Sequence, residues 1–461
     1  MQKNYVSETP NKVGSEITLK GWVHSRRDHG KLIFIDLRDS TGLVQVVINP
    51  QVSEGTHQVG STLSIEDVIT LTGKVNSRPE KMVNPDLMTG TVEVEASSIE
   101  ILSKAENPPF EISADGHDVD ESIRLKYRYL DLRRERMQKN LKIRHQVTKI
   151  VRDFLDSKGF TEVETPYLSK TTPEGARDFL VPSRLKPGNF YALAQAPQQY
   201  KQLLMIAGLE KYYQLARAFR DEDLRADRQF EHTQIDIEWS FIEREDILKL
   251  VEEMYTQVAK TLGKKILETP FPRYTYSEAQ EKFKADKFDL RSEKDPDTLA
   301  FAYVVDFPLF EHDDKEKRWT FSHNPFTAPK EDEVEKLMRA GDPSSILSQQ
   351  YDLVCNGYEL GSGSIRITDP KVQEKAFEIM GYSKEDIKSQ FGHLLDAYRY
   401  GAPAHGGIAL GLDRLVAILQ NEPSIREVIA FPISASGTTA VMDAPSSVSD
   451  SVLKELGLKM V

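Results

Sequence analysis

Apolar and polar positions alternate with a period of two through much of residues 1–105. Ile17–His24, Leu32–Arg38 and Leu43–Asn49 are alternating runs rich in β-branched and aromatic residues, and each predicts a strand. Asp39-Ser40-Thr41-Gly42 supplies turn residues between the second and third. Val68–Val75 and Thr91–Ile101 complete the set. Short strands at this spacing predict a small closed barrel, of which the OB-fold is the commonest form. Residues 106–137 open on a polar run with Pro108-Pro109 and read as a hinge or linker. The pattern then changes period. Ile143, Val147, Ile150, Val151 and Phe154 form one helical stripe, and Gly159 marks its stop. Through the rest of 138–461, strands are predicted at 212–219, 233–241, 302–310, 319–323, 351–359 and 364–368. Their gaps are hairpin-like and lack regular crossover helices. That predicts an antiparallel sheet flanked by helices, an α+β domain.

Composition narrows the class. The 461 residues carry 60 Lys and Arg against 72 Asp and Glu, a net charge of −12. This argues against a protein that coats nucleic acid and leaves room for one that binds it through a local surface. The single cysteine, Cys355, excludes an internal disulfide and a thiolate-cluster metal site, and it reads as a small core residue. The first residues lack the apolar core of a secretory signal, and no apolar run approaches a membrane span. A cytoplasmic protein without a membrane partner is expected. No Gly-rich phosphate loop supports a Walker or Rossmann nucleotide site.

Three segments carry candidate chemistry. Phe219–Glu238 crowds Arg220, Arg225 and Arg228 with Asp221, Glu222, Asp223, Asp227, Glu231, Asp236 and Glu238 between two apolar runs. Arginines there suit phosphate oxygens, and carboxylates suit Mg²⁺ or an ammonium group. A salt-bridged, solvated hairpin explains the same charges about as well. Gly406–Leu419 is an apolar helix holding Asp413 and Arg414. Read alone, it is better explained as a core helix with a satisfied Asp–Arg pair than as an anion site. In Tyr351–Arg366, Asp352 and Glu359 flank an Asn-Gly turn signal and can converge on a cation, while Arg366 can face a substrate carboxylate. An ordinary hairpin with exposed acids is the alternative.

In order along the chain, the stretch Gly159–Pro166 (GFTEVETP), the Arg220 hairpin and the Arg414 helix resemble the three signature motifs of class II aminoacyl-tRNA synthetases. Thr172–Arg184 (TPEGARDFLVPSR), Gln195–Gln202 (QAPQQYKQ), His323–Pro329 (HNPFTAP), Asn356–Arg366 (NGYELGSGSIR) and Gly21–Gly30 (GWVHSRRDHG) are similar to the bacterial-type aspartyl-tRNA synthetases in particular. The resemblance spans nearly the whole chain. It implies an OB-fold anticodon-binding barrel followed by a class II catalytic sheet. The implied activity joins L-aspartate to ATP, with Mg²⁺, and passes it to the 3′ end of tRNA(Asp).

The resemblance also implies roles. Arg220 would hold the α-phosphate and the substrate carboxylate, Arg414 the γ-phosphate, and Asp352 and Glu359 the metal. Asp221, Glu222, Gln229, His232, Gly411, Leu412 and Asp413 would complete the ATP site. Lys201 and Arg366 would bind the aspartate side chain. Asp236 and Glu174 would receive its ammonium group, with Glu174 on a mobile loop that closes over the site, and Gln198 and His323 would complete that pocket. Arg27, Phe34 and Gln45 would read the anticodon, although Phe34 alone fits a barrel core equally well. A homodimer is implied, with the Val147–Phe154 stripe and the Pro166 strand at its interface.

Departures from the pattern are Ala196, Asn324, Ile433 and His232, the last standing where an adenine-stacking aromatic is usual and bringing a group that titrates near neutrality. A sizeable inserted domain usual in the family is missing near 291–304. Two further readings stay open: charging of tRNA(Asn) as well, and a catalytically silent tRNA-binding paralogue.

Overall fold

The structure is a computed structural model that describes residues 4–172, 175–314, 317–339 and 341–459. The chain divides into two units, Met1–Val119 and Asp120–Val461.

In the first unit β1 (Glu16–His29), β2 (Leu32–Asp39), β3 (Gly42–Ile48), β4 (Val68–Ser77) and β5 (Val92–Ser103) close into a barrel in the order β1-β2-β3-β5-β4. The period-two pattern explains its interior. Ile33, Ile35 and Leu37 point inward with Val44, Val46 and Leu71. Phe34 therefore lies on the outer face and is only half-buried, so it is not a core aromatic. In register it stands opposite Arg27 on one side and Val47 on the other, while Asp36 stands opposite Gln45.

The second unit begins inside the stretch read as a linker. Residues 121–126 and 128–131 form two short helices, and Arg124, Arg128 and Asp131 are buried. Beyond them lie α1 (Glu135–Ser157), β6 (Thr161–Glu162), α2 (Gln198–Ile206), β7 (Lys211–Phe219), β8 (Glu231–Ser240), α3 (Arg244–Thr261), β9 (Arg273–Thr275), β10 (Phe301–Val305), β11 (Gln350–Cys355), β12 (Tyr358–Ile365), β13 (His405–Gly411) and α4 (Leu412–Leu419). Eight strands form one sheet in the order β9-β10-β11-β12-β13-β8-β7-β6. Its central pairs are antiparallel, and the two edge pairs, β9·β10 and β6·β7, are parallel.

Three predicted strands differ in extent: the 364–368 run is the tail of β12, which ends at Ile365, and the other two differ for a backbone reason. The 302–310 run ends at Val305 because Asp306 turns left-handed, with φ 58°. The 351–359 run folds back at Asn356 and Gly357, with φ 52° and 91°, the signature of a tight hairpin turn.

One face of the sheet is apolar. Ile235, Ile237, Leu353, Ile408 and Leu410 pack there under α1, α3 and α4. Val147, Val151 and Phe154 belong to that core. The stripe expected at a dimer interface is thus used inside the unit. The opposite face carries the alternate residues of β8 and β11, which are polar apart from Val354 at the end of β11.

Four arginines and three carboxylates hold the start of this unit to the chain after α4. Arg128 and Arg134 both donate to Asp131, at 2.8 Å each. Arg124 grips both Glu427 oxygens, at 3.0 and 2.8 Å, and Arg136 reaches Glu427 and Glu422 at 2.9 and 2.6 Å. Burial pushes the Glu427 carboxyl up, but the surrounding arginines outweigh it and hold it at about 2, against an ordinary 4.5. Its stabilising effect is full above about pH 4.5 and is lost as pH falls toward 2. Glu427→Gln leaves buried guanidinium charge unmatched, and a loss of about 3 kcal/mol is expected at pH 7. In thermal melts the gap from the parent protein should narrow steadily below pH 4.5.

Candidate active site

The polar face of the sheet opens into a cleft of about 870 Å³. Strand parity selects what lines it. On β8, Ile235 and Ile237 go to the core, which leaves His232, Gln234, Asp236 and Glu238 on the cleft side. On β11 the same rule puts Gln350 and Asp352 there. β12 needs an extra device. A bulge between Leu353 and Val354 sends Leu360 into the core and brings both Glu359 and Ser362 to the face of Asp352. The Ser362 hydroxyl donates to Asp352 and lies 3.0 Å from His323 Nδ1. Gln350 Nε2 donates to Asp352 at 3.1 Å. Burial and the neighbouring Glu359 raise the Asp352 carboxyl to about 7, the mark of two carboxylates crowded together.

Further along β8, on the same face of the sheet, lies a buried ion cluster. Lys201, from α2, sits 2.7 Å from Asp236 Oδ1 and 3.2 Å from Glu238 Oε2. Arg366 donates to both Glu238 oxygens, at 2.9 and 3.1 Å, and to Ser364 Oγ at 2.6 Å. Lys201 and Arg366 thus converge, and the group they share is Glu238. Burial pushes Glu238 up, but Arg366 and Lys201 outweigh it and hold it at about 2. β13 passes so close that a Cβ on Gly407 would fall 2.2 Å from Glu238 Oε2, so only glycine fits there. Asp236 Oδ2 and Gln198 Nε2 are buried and have no partner among the described residues. Such atoms suit a polar ligand.

The remaining predicted residues fall in three groups. Asp221, Glu222, Arg220, His232, His323, Glu359, Gly411 and Arg414 border the cleft. Arg220 Nε donates to the Gln195 carbonyl at 3.3 Å, and Glu222 lies between Arg220 and Arg228. Arg414 donates to the carbonyls of Glu359 and Asp227 and pairs with Asp227 at 3.3 Å. The second group has its side chains committed elsewhere. Gln229 accepts from the Ile433 backbone at 2.8 Å and donates to the Arg228 carbonyl. Leu412 is in the core. Asp413 binds Arg144 and the Thr233 backbone, so the expected pairing of Asp413 with Arg414 does not form. The third group is Glu174, which lies outside the described residues.

His232 corrects an expectation. Burial and the nearby Arg220 and Arg414 drop its imidazole to about 3, so it does not titrate near neutrality. His323 is lowered to about 3 in the same way, by burial and Arg366. Sequence reading gave no role to Glu238, although it shares the parity of Asp236, and it passed over Ser362. On the barrel, Arg27 pairs with Asp36 at 3.1 Å and Gln45 donates to Glu93 at 3.1 Å.

Residues 120–435 match the family described as tRNA synthetases class II (D, K and N), and residues 17–102 match the OB-fold nucleic acid binding domain. The chain is a class II aminoacyl-tRNA synthetase. The aspartate–tRNA ligase of Staphylococcus epidermidis is 42% identical to it, with 97% of each chain covered. That of Staphylococcus haemolyticus is 41% identical, with 98% of each covered. Among solved structures, the asparaginyl-tRNA synthetase of Pyrococcus horikoshii complexed with asparaginyl-adenylate superposes with a TM-score of 0.75 at 25% identity, covering 94% of this chain and 98% of that one. The aspartyl-tRNA synthetase of Entamoeba histolytica gives 0.74 at 22%, covering 94% and 91%, and shows the shared fold. The 573 aligned positions of the S. epidermidis comparison exceed this synthetase's 461 residues, so more than a hundred positions of that relative have no counterpart here.

The cluster makes a direct demand on the synthetase. Glu238→Gln strips the counter-charge from two buried cations, so a loss of roughly 3–5 kcal/mol is expected. Chemical denaturation checks it, and an unchanged midpoint would show that Glu238 does not hold the pair.

Proposed function

We infer that this synthetase is an aspartate–tRNA ligase, which makes aspartyl-adenylate from L-aspartate and ATP and transfers aspartate to the 3′ end of tRNA(Asp). The observation that carries the reading is the convergence of Lys201 and Arg366 on Glu238, on the face of the sheet that bears the cleft. Both keep unspent N–H groups beyond Glu238 and Ser364, and these suit the side-chain carboxylate of aspartate. Asparagine would set an amide N–H₂ against cations. Asp236, with one oxygen unpartnered, suits the ammonium group, to which we also assign Glu174, while the unpartnered Gln198 Nε2 suits a carboxylate oxygen of the substrate.

We assign Arg220, on the border of the cleft, to the α-phosphate and the attacking carboxylate, and Arg414 to the far phosphates. His232, neutral and aromatic, offers its ring to adenine, and Glu222, Asp221, Gly411 and the backbone beside Gln229, Leu412 and Asp413 complete the nucleotide site. Asp352, Glu359 and Ser362 form a set of hard oxygen donors around two mutually repelling carboxylates, which suits Mg²⁺. When bound there, Mg²⁺ supplies charge neutralisation for the triphosphate. The α-carboxylate of aspartate is already ionised, so no general base is needed. Its oxygen bonds to the α-phosphorus as the bond to the β-phosphate oxygen breaks, and the electron pair leaves on pyrophosphate. The protein contributes position and fixed charge.

For the barrel, Phe34 on the outer face is free to stack a base, with Arg27 and Gln45 alongside. Exposed Tyr167 and Leu168, just after Pro166, support a second copy of the chain as partner. The cytoplasm, where tRNA and ATP are found, is where we take the enzyme to act. We place the missing positions of the relatives at the short path between β9 and β10, around 291–304. Charging of tRNA(Asn) is the finer question, and no observation favours a silent paralogue.

Aspartate-dependent ATP–pyrophosphate exchange, with asparagine and lysine as controls, tests the reading, and exchange with aspartate alone is expected. Arg220→Ala should abolish exchange. Phe34→Ala should leave exchange intact and weaken charging of tRNA, and equal damage to both steps would contradict this division of labour.

A further inference from the structure

Beside Glu359 stands a cation, Lys287. Lys287 Nζ lies 2.7 Å from Glu359 Oε2, and its side chain is 39% exposed. We propose that Lys287 is a phosphate-binding residue of the ATP site, resting on Glu359 until nucleotide arrives and then holding the pyrophosphate end. The proposal rests on the ATP-dependent reading given above.

The backbone around Lys287 is fixed. The Phe288 carbonyl accepts from Gly357 N–H at 3.0 Å, which ties the next residue to the hairpin turn just before Glu359. The Phe288 ring is buried and stacks on Phe283, with ring centroids 3.9 Å apart. Asp289 is gripped by Arg291, at 3.0 and 2.9 Å, and by Lys294 at 2.8 Å. Lys287 thus swings a flexible four-carbon arm from a rigid base.

Three other cations of the cleft, Arg414, Arg220 and Arg228, have carboxylate partners of their own. Arg414 spends donors on two carbonyls and on Asp227. Arg220 and Arg228 share Glu222. Lys287 pairs with Glu359, which we assign to the metal. A carboxylate cannot serve a divalent ion and an ammonium at that distance without cost, so the ammonium needs another anion within reach. The reaction brings one. As the Pα–O bond breaks, the electron pair settles on pyrophosphate, and the ammonium, keeping its proton, meets that charge.

Lys287→Met and Lys287→Arg test this by calorimetric titration with ATP and, separately, with AMP, alongside exchange kinetics. Lys287→Met should weaken ATP binding about tenfold, the scale of one charge-assisted hydrogen bond, and leave AMP binding unchanged. The KM for pyrophosphate should rise in parallel, the KM for aspartate should hold, and Lys287→Arg should recover most of the loss. Equal changes for ATP and AMP, or none for either, would overturn the proposal and leave Lys287 as a prop for Glu359. If Lys287→Met fails to melt cooperatively, Lys287→Gln takes its place in the same comparison. Absence of exchange in the parent protein would sink the functional reading instead, so the two failures are distinguishable.

Discussion

Glu238 is the group on which the catalytic unit turns. Two cations from different parts of the chain, Lys201 on α2 and Arg366 beyond β12, meet on its two oxygens, and all three groups are buried. Neither cation is tolerable in that place unpaired. The carboxylate therefore does two things at once: it lets the charges be buried, and it fixes where their remaining N–H groups can point. Gly407 belongs to the same constraint, since any side chain there would occupy the space of the carboxylate. A substrate pocket built this way is rigid before its ligand arrives, which limits the ordering cost of binding.

The cleft beside Asp352 follows a different logic. There the carboxylates Asp352 and Glu359 crowd one another, and the cations around them are half-exposed and partly shared. Charge is held in tension here and is balanced around Glu238. The contrast matches a reaction in which one partner is recognised by shape and charge while the other gains charge as it leaves.

Much of this was legible in the chain. The barrel followed from five alternating runs, and the Asn356-Gly357 turn placed Asp352 and Glu359 on adjacent strands. Strand parity, applied to β8, would also have found Glu238 beside Asp236. Other features were hidden because they depend on distant partners. The bulge that turns Ser362 toward Asp352 has no local mark. Asp413 looked like the partner of Arg414 because the two are neighbours in sequence, yet a helix sends adjacent residues in different directions, and Arg144 on α1 takes the acid. The neutrality of His232 comes from burial and two arginines, neither of which its own neighbours announce.

The knot of Asp289, Arg291 and Lys294 closes the path from β9 to β10 at the border of the great sheet. β9 and β10 run parallel, so that path is a crossover lying outside the strand pairing, at a margin where few strands remain to be rethreaded. An excursion of any size can be spliced in or trimmed away at such a seam as a cassette, with the hydrogen-bonded interior left untouched. Lineages are thereby free to lengthen or shorten this protein at the seam while the chemistry of the cleft is inherited whole.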